Sequence, residues 1–453
     1  MDLAQALRFN HVPASYHTVS LVGAGGKTTA LFQLGDELVR RGAPSVILTN
    51  TTHLGAWQVS LTEQHIVATD LIALKEIPPR GVILVTGDFD NGRATPIDTM
   101  TLKWLREYCM EKNIPLLIEA DGSRQKSLKA PAAHEPPIPE FTDTVIVVAG
   151  FGTLGKPLTD EHVHRAEIFS QLGGLPLNQI ITPDTLGRVL AHPQGGLKNI
   201  PPHARRVVLL NQADTPELQS IGGNMARALL DQFDAVIVGA LQKNSLQTFE
   251  HTAGIILAAG ESTRFGSPKQ LLDWKGKPFV RQVAETALQS GLWPVVVVTG
   301  AFAADVESAL NGLPLNIVRN AEFAQGQSTS IRAGINSFPP SPRWKGQAEV
   351  SAAIFLLADQ PQIPADVIRA LVESHTQGMY PIIAPLVLEE RRANPVLFDQ
   401  VTFPDLLKIT GDVGGRAIFS NYKVEYMPWH DDRLLLDVDK PEDYQRLVED
   451  ENS

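Results

Sequence analysis

The sequence predicts an α/β protein of two domains, each a three-layer α/β/α arrangement with a mostly parallel sheet between helices. Two observations predict it. The 453 residues exceed the size at which a single core keeps growing, so two domains are expected. Short apolar runs alternate with helical stretches along the chain, a pattern typical of parallel sheets covered on both faces. We place the domains at residues 1–245 and 252–453, joined by a polar linker around residues 243–254.

The composition excludes several classes of protein. A net charge of -11 argues against a broad nucleic-acid surface, which would be basic. The only cysteine, Cys109, rules out an internal disulfide, fits a reducing cytoplasm, and is expected to be a buried bystander in a helix. No apolar run approaches the ~20 residues that span a bilayer, and the first residues do not resemble a signal peptide. We therefore expect a soluble cytoplasmic protein with neither nucleic acid nor membrane as a partner.

Seven apolar runs predict buried strands in the first domain, at residues 18–22, 46–49, 82–86, 116–119, 145–149, 207–210 and 235–238. Ligands of parallel sheets bind beyond the carboxyl ends of the strands, so the turns after these runs are candidate sites.

The turn after the first run, V-G-A-G-G-K-T-T, precedes a helical pattern. Gly25 and Gly26 can bring backbone amides to a phosphate, Lys27 can reach the terminal phosphates, and Thr28 can ligate Mg²⁺. A full P-loop has a glycine where this chain has Leu21, so the loop is a shortened, P-loop-like form similar to that of the Mur ligases. ATP or GTP is the nucleotide expected here. A tight turn with a solvated lysine is the alternative.

Two other turns of the first domain carry polar side chains. Glu119-Ala120-Asp121-Gly122 follows a strand, where Asp121 could be the Mg²⁺ partner or orient a water; an acidic turn is the alternative. N-Q-A-D at residues 211–214 resembles the guanine-reading N-K-x-D, but glutamine replaces lysine, and we do not favour base reading there.

Residues 119–139 (E-A-D-G-S-R-Q-K-S-L-K-A-P-A-A-H-E-P-P-I-P) and 154–167 (L-G-K-P-L-T-D-E-H-V-H-R-A-E) resemble the accessory-protein family of selenium-dependent molybdenum hydroxylases. The resemblance spans most of residues 15–240 and implies a nucleotide-binding accessory role. We assign no metal to His162 and His164, because two histidines without a third ligand are more often structural.

Six further runs predict the strands of the second domain, at residues 255–257, 294–298, 315–318, 352–357, 382–384 and 424–426. The first run leads into L-A-A-G-E-S-T-R-F-G-S-P-K-Q, a glycine loop with two cations, Arg264 and Lys269, before a helix expected near Gln270. Free backbone amides and two cations suit a triphosphate. No hydroxyl residue follows Lys269, which distinguishes this loop from a P-loop.

The motif L-A-A-G-x-S-x-R-x-G-x-x-K resembles the molybdenum-cofactor nucleotidyltransferases, and the resemblance covers essentially residues 254–445. It implies a Rossmann-like fold, with Leu257, Ala258, Ala259 and Gly260 reading the base. Members with L-A-A-G are typically cytidylyl transferases, whereas guanylyl enzymes tend to have L-A-G-G. Phe265 replaces the usual methionine.

Several other positions match this family. Gln327 and Ser328, at a predicted helix start, correspond to residues that line the nucleoside. Asp359 ends a strand in A-D-Q-P, where the family usually has D-M-P, and can hold Mg²⁺. One of Asp437 and Asp439 completes the metal site, and the family placement favours Asp439. Candidates for the pterin and its phosphate are Arg392, Asn394, Asp412 and Arg416, although Glu390 and Gly415 depart from the family pattern.

The resemblances imply a cytidylyltransferase that uses CTP and Mg²⁺, with the molybdenum cofactor as its second substrate and a molybdenum hydroxylase apoprotein as partner. Arg264, Lys269 and Asp359 are its expected catalytic residues. A non-catalytic protein that inserts cofactor into a hydroxylase is one alternative. Guanylyl transfer, or transfer to a sugar phosphate, is another.

Overall fold

The computed structural model of the chain describes residues 1–9, 18–262, 265–340, 350–388, 391–438 and 440–449. The chain divides into two compact units, Met1–Phe249 and Glu250–Ser453. The expected linker is largely regular structure, because Ser245–Phe249 is a strand of the first unit and Thr252–Ala258 is a strand of the second. In the strand Ser245–Phe249 only Leu246 and Thr248 are buried. The polar composition of this edge strand therefore resembled that of a linker.

The first unit contains a nine-stranded sheet. In order across the sheet its strands are Ser245–Phe249, Ala235–Ala240, Arg205–Asn211, Thr144–Gly150, Thr18–Gly23, Leu116–Glu119, Ser45–Asn50, Gly81–Thr86 and Gln64–Val67. All neighbours pair in parallel except the edge strand Ser245–Phe249, which is antiparallel to Ala235–Ala240. The seven strands predicted from apolar runs are all present. The two that sequence analysis missed are the half-buried edges of the sheet.

Both faces of this sheet are covered, as the continuous apolar runs predict. In Ser45–Asn50, Val46 and Leu48 join one core while Ile47 joins the other, since alternate side chains point to opposite faces. The helices of this unit are Leu3–Ala6, Lys27–Arg40, Ala56–Val59, Thr99–Lys112, Ala166–Gly173, Pro183–Ala191 and Pro216–Leu229. The helix Lys27–Arg40 packs on the face of the sheet that contains Val46. The helix Thr99–Lys112 packs on the opposite face, which contains Ile47.

The second unit contains an eight-stranded mixed sheet. Its order is Asn316–Arg319, Val295–Thr299, Thr252–Ala258, Ala352–Leu357, Val396–Asp399, Ile382–Val387 and Arg391–Arg392, and Val424–Trp429 also pairs with Ile382–Val387. The first four strands are mutually parallel, and Val396–Asp399 runs against its neighbours. The strands Val396–Asp399 and Arg391–Arg392 were not predicted.

Helices cover both faces of the second sheet as well. Ile256 of the central strand joins the core of helix Phe279–Gln289, and its neighbour Ile255 joins the core of helix Gln327–Asn336. The other helices are Ala303–Ala309, Ala365–Gly378, Phe403–Leu406 and Pro441–Glu449. Among the described residues, no helix combines the length and apolar character needed to cross a membrane.

The helix expected near Gln270 was a wrong prediction. The chain forms one 3₁₀ turn at Lys269–Leu271, then a short hairpin that pairs Asp273–Trp274 with Lys277–Pro278, and the α-helix begins only at Phe279. Lys275 and Gly276 both have positive φ, 57° and 75°, as a two-residue hairpin turn requires.

Candidate functional site

A cleft of about 610 Å³ opens in the second unit where the central strands end. Thr252–Ala258 and Ala352–Leu357 pair in parallel, with Leu257 opposite Leu357, so the glycine loop and Asp359 emerge side by side. The lining residues are Leu257, Ala258, Ala259, Gly260, Glu261, Ser262, Phe265, Lys269, Gln270, Phe323, Ala324, Gln325, Gly326, Gln327, Ser330, Leu357, Ala358, Asp359 and Asp412.

Two of the predicted catalytic residues form an ion pair in this cleft. Lys269 Nζ lies 2.9 Å from Asp359 Oδ2, and both side chains keep some exposure, 14% and 28%. An ammonium can meet a phosphate and a carboxylate can hold a cation, so these two residue types fit a charged ligand. Arg264, the third predicted catalytic residue, lies outside the described residues.

Gln270, which sequence analysis did not single out, ties the glycine loop together. Its Nε2 donates to the Gly260 carbonyl at 3.2 Å, and its Oε1 lies 3.2 Å from Ser262 Oγ. Ser262 Oγ in turn accepts from the Lys269 amide at 3.0 Å. Gln270 is only 4% exposed, so the loop is held by a buried amide. A glutamine after a lysine gives no sequence signal for this role.

The second wall of the cleft is the start of helix Gln327–Asn336. Asp412 Oδ1 accepts from the Gln327 amide at 3.2 Å, so Asp412 caps this helix from a distant loop. A Cβ at Gly326, where φ is 111°, would lie 2.5 Å from the Asp412 amide, which explains the glycine. Gln327 lines the cleft, whereas Ser328 is fully buried, and Ser330 is the serine of this helix that lines the cleft.

The predicted pterin residues other than Asp412 form a group outside the cleft lining. Arg416 Nη2 lies 3.3 Å from Asn394 Oδ1 and 3.4 Å from the Arg392 carbonyl. The Arg392 guanidinium stands 5.3 Å from the ring centre of Tyr426. A Cβ at Gly414 would lie 2.8 Å from Gln327 Oε1, so this group adjoins the helix that borders the cleft.

Two of the three predicted metal ligands are described, Asp359 and Asp437; Asp439 lies outside the described residues. The buried Gln360 donates from Nε2 to Asp437 Oδ1, which connects the Asp437 segment to the residue after Asp359. Within the described ranges, no group of three or more His, Cys, Asp or Glu side chains forms a metal cluster. Carboxylate oxygens are nevertheless the donors that Mg²⁺ prefers, so the residue types fit this ion.

The glycine loop of the first unit packs closely against neighbouring strands. Gly25 and Gly26 have φ of 85° and 133°; a Cβ would lie 2.5 Å from the Gly150 amide and 2.3 Å from Asn211 Nδ2, respectively. Asn211 Nδ2 donates to the Gly25 carbonyl at 2.8 Å, and its Oδ1 accepts from the Leu241 amide at 3.1 Å. Asn211 therefore supports the loop.

Asp121 is bound inside an ion cluster and does not contact Thr28. Its Oδ1 lies 3.2 Å from Lys27 Nζ, and its Oδ2 lies 2.8 Å from Lys129 Nζ and accepts from the Gly23 amide at 3.0 Å. Lys27 Nζ also donates to the Gly23 carbonyl at 2.7 Å. Asp121 thus holds two buried lysines, a role that differs from the Mg²⁺ partner expected from the sequence.

The cluster continues through both segments that carry the first resemblance. Lys129 pairs with Glu135 at 2.9 Å, and Arg165 makes two hydrogen bonds of 2.7 Å to the same carboxylate. Burial alone would raise the pKa of Glu135, but hydrogen bonds from Arg165 and the charge of Lys129 lower it to about 2. Burial, with the charges of Arg165 and Lys129, lowers the pKa of His164 to about 4.

Glu119 is the carboxylate that contacts the Thr28 hydroxyl in the first glycine loop. Thr28 Oγ1 donates to Glu119 Oε2 at 2.9 Å, and Gln58 Nε2 donates to Thr28 Oγ1. Strand pairing places Glu119 opposite Leu21, two residues before Gly23, where that strand ends. Burial raises the pKa of Glu119, although Lys27 and the Thr28 hydroxyl oppose that effect.

Cys109 is 1% exposed in helix Thr99–Lys112, and burial raises the pKa of its thiol to about 12. A thiol that stays protonated is a poor nucleophile, as expected of a bystander.

In comparisons with known proteins, each of the two units matches a protein family or domain. Residues 19–167 match the YqeC protein family, and residues 254–426 match the MobA-like NTP transferase domain. Uncharacterized protein YqeC of Escherichia coli (strain K12) is 33% identical over 234 residues, which cover 50% of this chain and 88% of that protein.

Two further relatives match the second unit. Nicotine blue oxidoreductase of Paenarthrobacter nicotinovorans is 31% identical over 203 residues, covering 43% of this chain and 95% of that protein. Probable molybdenum cofactor guanylyltransferase of Bacillus cytotoxicus is 29% identical over 147 residues, covering 32% of this chain and 66% of that protein. The chain therefore belongs to the YqeC family through its first unit and carries a MobA-like NTP transferase domain in its second.

Proposed function

We propose that the second unit is a molybdenum cofactor cytidylyltransferase, which transfers CMP from CTP to the terminal phosphate of the cofactor and releases pyrophosphate. One observation carries the proposal: the glycine loop, the Lys269–Asp359 pair and the start of helix Gln327–Asn336 meet in a single cleft. A nucleotide needs a loop for its base, a cation for its phosphates and a carboxylate for its metal, and the glycine loop, Lys269 and Asp359 suit these three roles.

The chemistry follows from these groups. An oxygen of the cofactor phosphate attacks the α-phosphorus of CTP, and the bond from that phosphorus to the pyrophosphate oxygen breaks. This step needs positioning and charge neutralisation more than covalent catalysis. Lys269 and Arg264 neutralise the triphosphate. Asp359, with Asp437 or Asp439, would hold Mg²⁺, which neutralises charge on the phosphates when bound. Arg392, Asn394 and Arg416 bind the pterin side.

The choice of cytosine rests on Ala259. Its carbonyl accepts from the Ala301 amide at 3.3 Å, and the residue is only 5% exposed. A Cβ at Gly300 would lie 2.8 Å from the Ala259 methyl, so the loop is packed at this position. The relative named a guanylyltransferase makes GTP the competing nucleotide.

The test supplies purified full-length protein with molybdenum cofactor, Mg²⁺ and labelled CTP or GTP, and measures dinucleotide and pyrophosphate. We expect the cytidine dinucleotide, with at least a hundredfold loss of rate in Lys269→Met and Asp359→Asn. Lys275→Met, which changes an exposed lysine outside the cleft lining, is the matched control and should keep the wild-type rate. Incorporation from GTP alone would refute the base assignment, and no dinucleotide from either nucleotide would refute the activity.

We further propose that the first unit binds ATP or GTP at residues 25–28 and acts as an accessory unit in maturation of a molybdenum hydroxylase. The loop lies between a strand and the helix Lys27–Arg40, as phosphate-binding loops do, and Thr28 contacts a buried carboxylate. A chain that only inserts cofactor would mature the hydroxylase without making the dinucleotide, so the same assay separates the two functions.

A further inference from the structure

We infer that Glu119, and not Asp121, is the carboxylate that accompanies the divalent cation of a nucleotide bound at residues 25–28. The inference rests on the proposal that this loop binds a nucleotide. It assigns a metal-binding pair, Thr28 and Glu119, in the first unit.

Asp121 is held between two buried lysines, although its buried Oδ1 receives no hydrogen bond from a described residue. Both of its oxygens face buried lysines, Lys27 at 3.2 Å and Lys129 at 2.8 Å, and one also accepts from the Gly23 amide at 3.0 Å. The side chains of Lys27, Asp121 and Lys129 are 2–3% exposed. A cation added at Asp121 would meet two ammonium groups at hydrogen-bond distance, which is an unfavourable position for a metal ion.

Glu119 also feels the charges of Lys27 and Lys129, but among the described residues it has no ion-pair partner within 4 Å. Among the described residues its side chain receives one hydrogen bond, from the Thr28 hydroxyl at 2.9 Å, although the residue is only 6% exposed. A buried carboxylate is ordinarily compensated by several donors or by a cation, so this one has unused acceptor capacity. A hydroxyl and a carboxylate are both oxygen ligands of the kind that Mg²⁺ prefers.

The surrounding elements hold this pair at the phosphate end of the loop. Thr28 is the second residue of helix Lys27–Arg40, whose cap residue Gly26 has no side chain to satisfy the first amides. Glu119 ends a strand that pairs with the one leading into the loop. Gln58, on the short helix Ala56–Val59, donates to the Thr28 hydroxyl and orients its proton toward Glu119. Phosphates at these amides would place their metal next to Thr28 and Glu119.

The test uses electron paramagnetic resonance to measure how much Mn²⁺ binds to the full chain in the presence of ATP or GTP. Mn²⁺ serves as a spectroscopic substitute for Mg²⁺. Every protein carries Asp359→Asn, so that the cleft of the second unit does not contribute. Nucleotide binding without metal is measured in EDTA. In Glu119→Gln and Thr28→Val we expect at least a tenfold loss of nucleotide-dependent Mn²⁺ binding, with retained binding in EDTA and a urea midpoint at or above that of the parent.

Asp121→Asn is the discriminating variant. We expect it to lower the urea midpoint, because two buried lysines lose their partner, and to keep nucleotide-dependent Mn²⁺ binding in the folded protein. Mn²⁺ binding that survives in Glu119→Gln but is lost in folded Asp121→Asn would overturn the inference alone. A parent protein that binds neither nucleotide, with or without metal, would overturn both the inference and nucleotide binding by the first unit. Nucleotide binding that is unchanged in Lys27→Ala would also overturn both the inference and nucleotide binding by the first unit.

Discussion

At the residue scale, two carboxylates two positions apart have different physical roles. Asp121 is enclosed by Lys27 and Lys129, whereas Glu119 touches only the Thr28 hydroxyl among described donors. Removing one partner from a buried ion pair typically costs about 3–5 kcal/mol, because the remaining charge stays buried. Asp121 is therefore expected to stabilise the folded first unit, and Glu119 is expected to bind the divalent cation.

The ion cluster predicts how the stability of the first unit depends on pH. The pKa of Glu135 falls from 4.5 to about 2 on folding, so its contribution is complete above pH 4.5 and is lost as the pH falls toward 2. The pKa of His164 falls from 6.5 to about 4, so the unfolded chain binds the proton first and stability decreases as the pH falls from 6.5 to 4. His164→Gln should remove the upper slope, and Glu135→Gln the lower one.

Hydrogen exchange in peptides from strand Leu116–Glu119, compared between variant and wild type at each pH, measures both slopes. Exposed residues provide the controls: His203→Gln and Glu140→Gln should leave the profile unchanged. Equal slopes in wild type and in both cluster variants would show that these groups do not control acid stability.

At the element scale, buried glutamines connect segments that are distant in the chain. Gln270 joins the glycine loop to the 3₁₀ turn Lys269–Leu271, and Gln360 joins the end of strand Ala352–Leu357 to the Asp437 segment. Gln360 is 2% exposed and stands where the resembling family usually has methionine. A methionine fills similar space but cannot donate a hydrogen bond.

Gln360→Met should therefore preserve the fold and weaken the metal site. Without the donor that holds Asp437, we expect the Mg²⁺ concentration for half-maximal transfer to rise about tenfold, as second-shell changes commonly do, while the KM for CTP at saturating Mg²⁺ stays unchanged. Gln289→Met, at an exposed helix position, is the surface control. An unchanged Mg²⁺ requirement in Gln360→Met would remove Gln360 and Asp437 from the metal site.

At the scale of the whole molecule, the chain carries two α/β units with different glycine loops. In the first, Lys27 is followed by hydroxyl residues, and in the second Lys269 is followed by Gln270 and two leucines. All residues found to line the larger cleft belong to Glu250–Ser453. The two loops are thus expected to serve separate steps.

Lys27→Ala should keep the full rate of cytidylyl transfer and fail to mature the hydroxylase in cells, because Lys27 belongs to the first unit and does not line the cleft of the second. Lys269→Met should lose both, since maturation requires the dinucleotide. Transfer by purified protein and hydroxylase activity in cells expressing each variant measure the two effects. Normal maturation by Lys27→Ala would contradict an essential role for the first loop.

The sequence by itself determined the class of fold, most strands, both families and several of the residues that line the larger cleft. Apolar runs and glycine loops are local signals, and two residues that they single out, Lys269 and Asp359, line the cleft. Only the tertiary structure determined which polar groups from distant segments of the chain contact each other. It placed Glu119 at Thr28, bound Asp121 between two lysines, made Asp412 a helix cap, buried Ser328, and delayed the helix from Gln270 to Phe279. These outcomes depend on which partner a polar group meets across the fold, and spacing along the chain does not encode that.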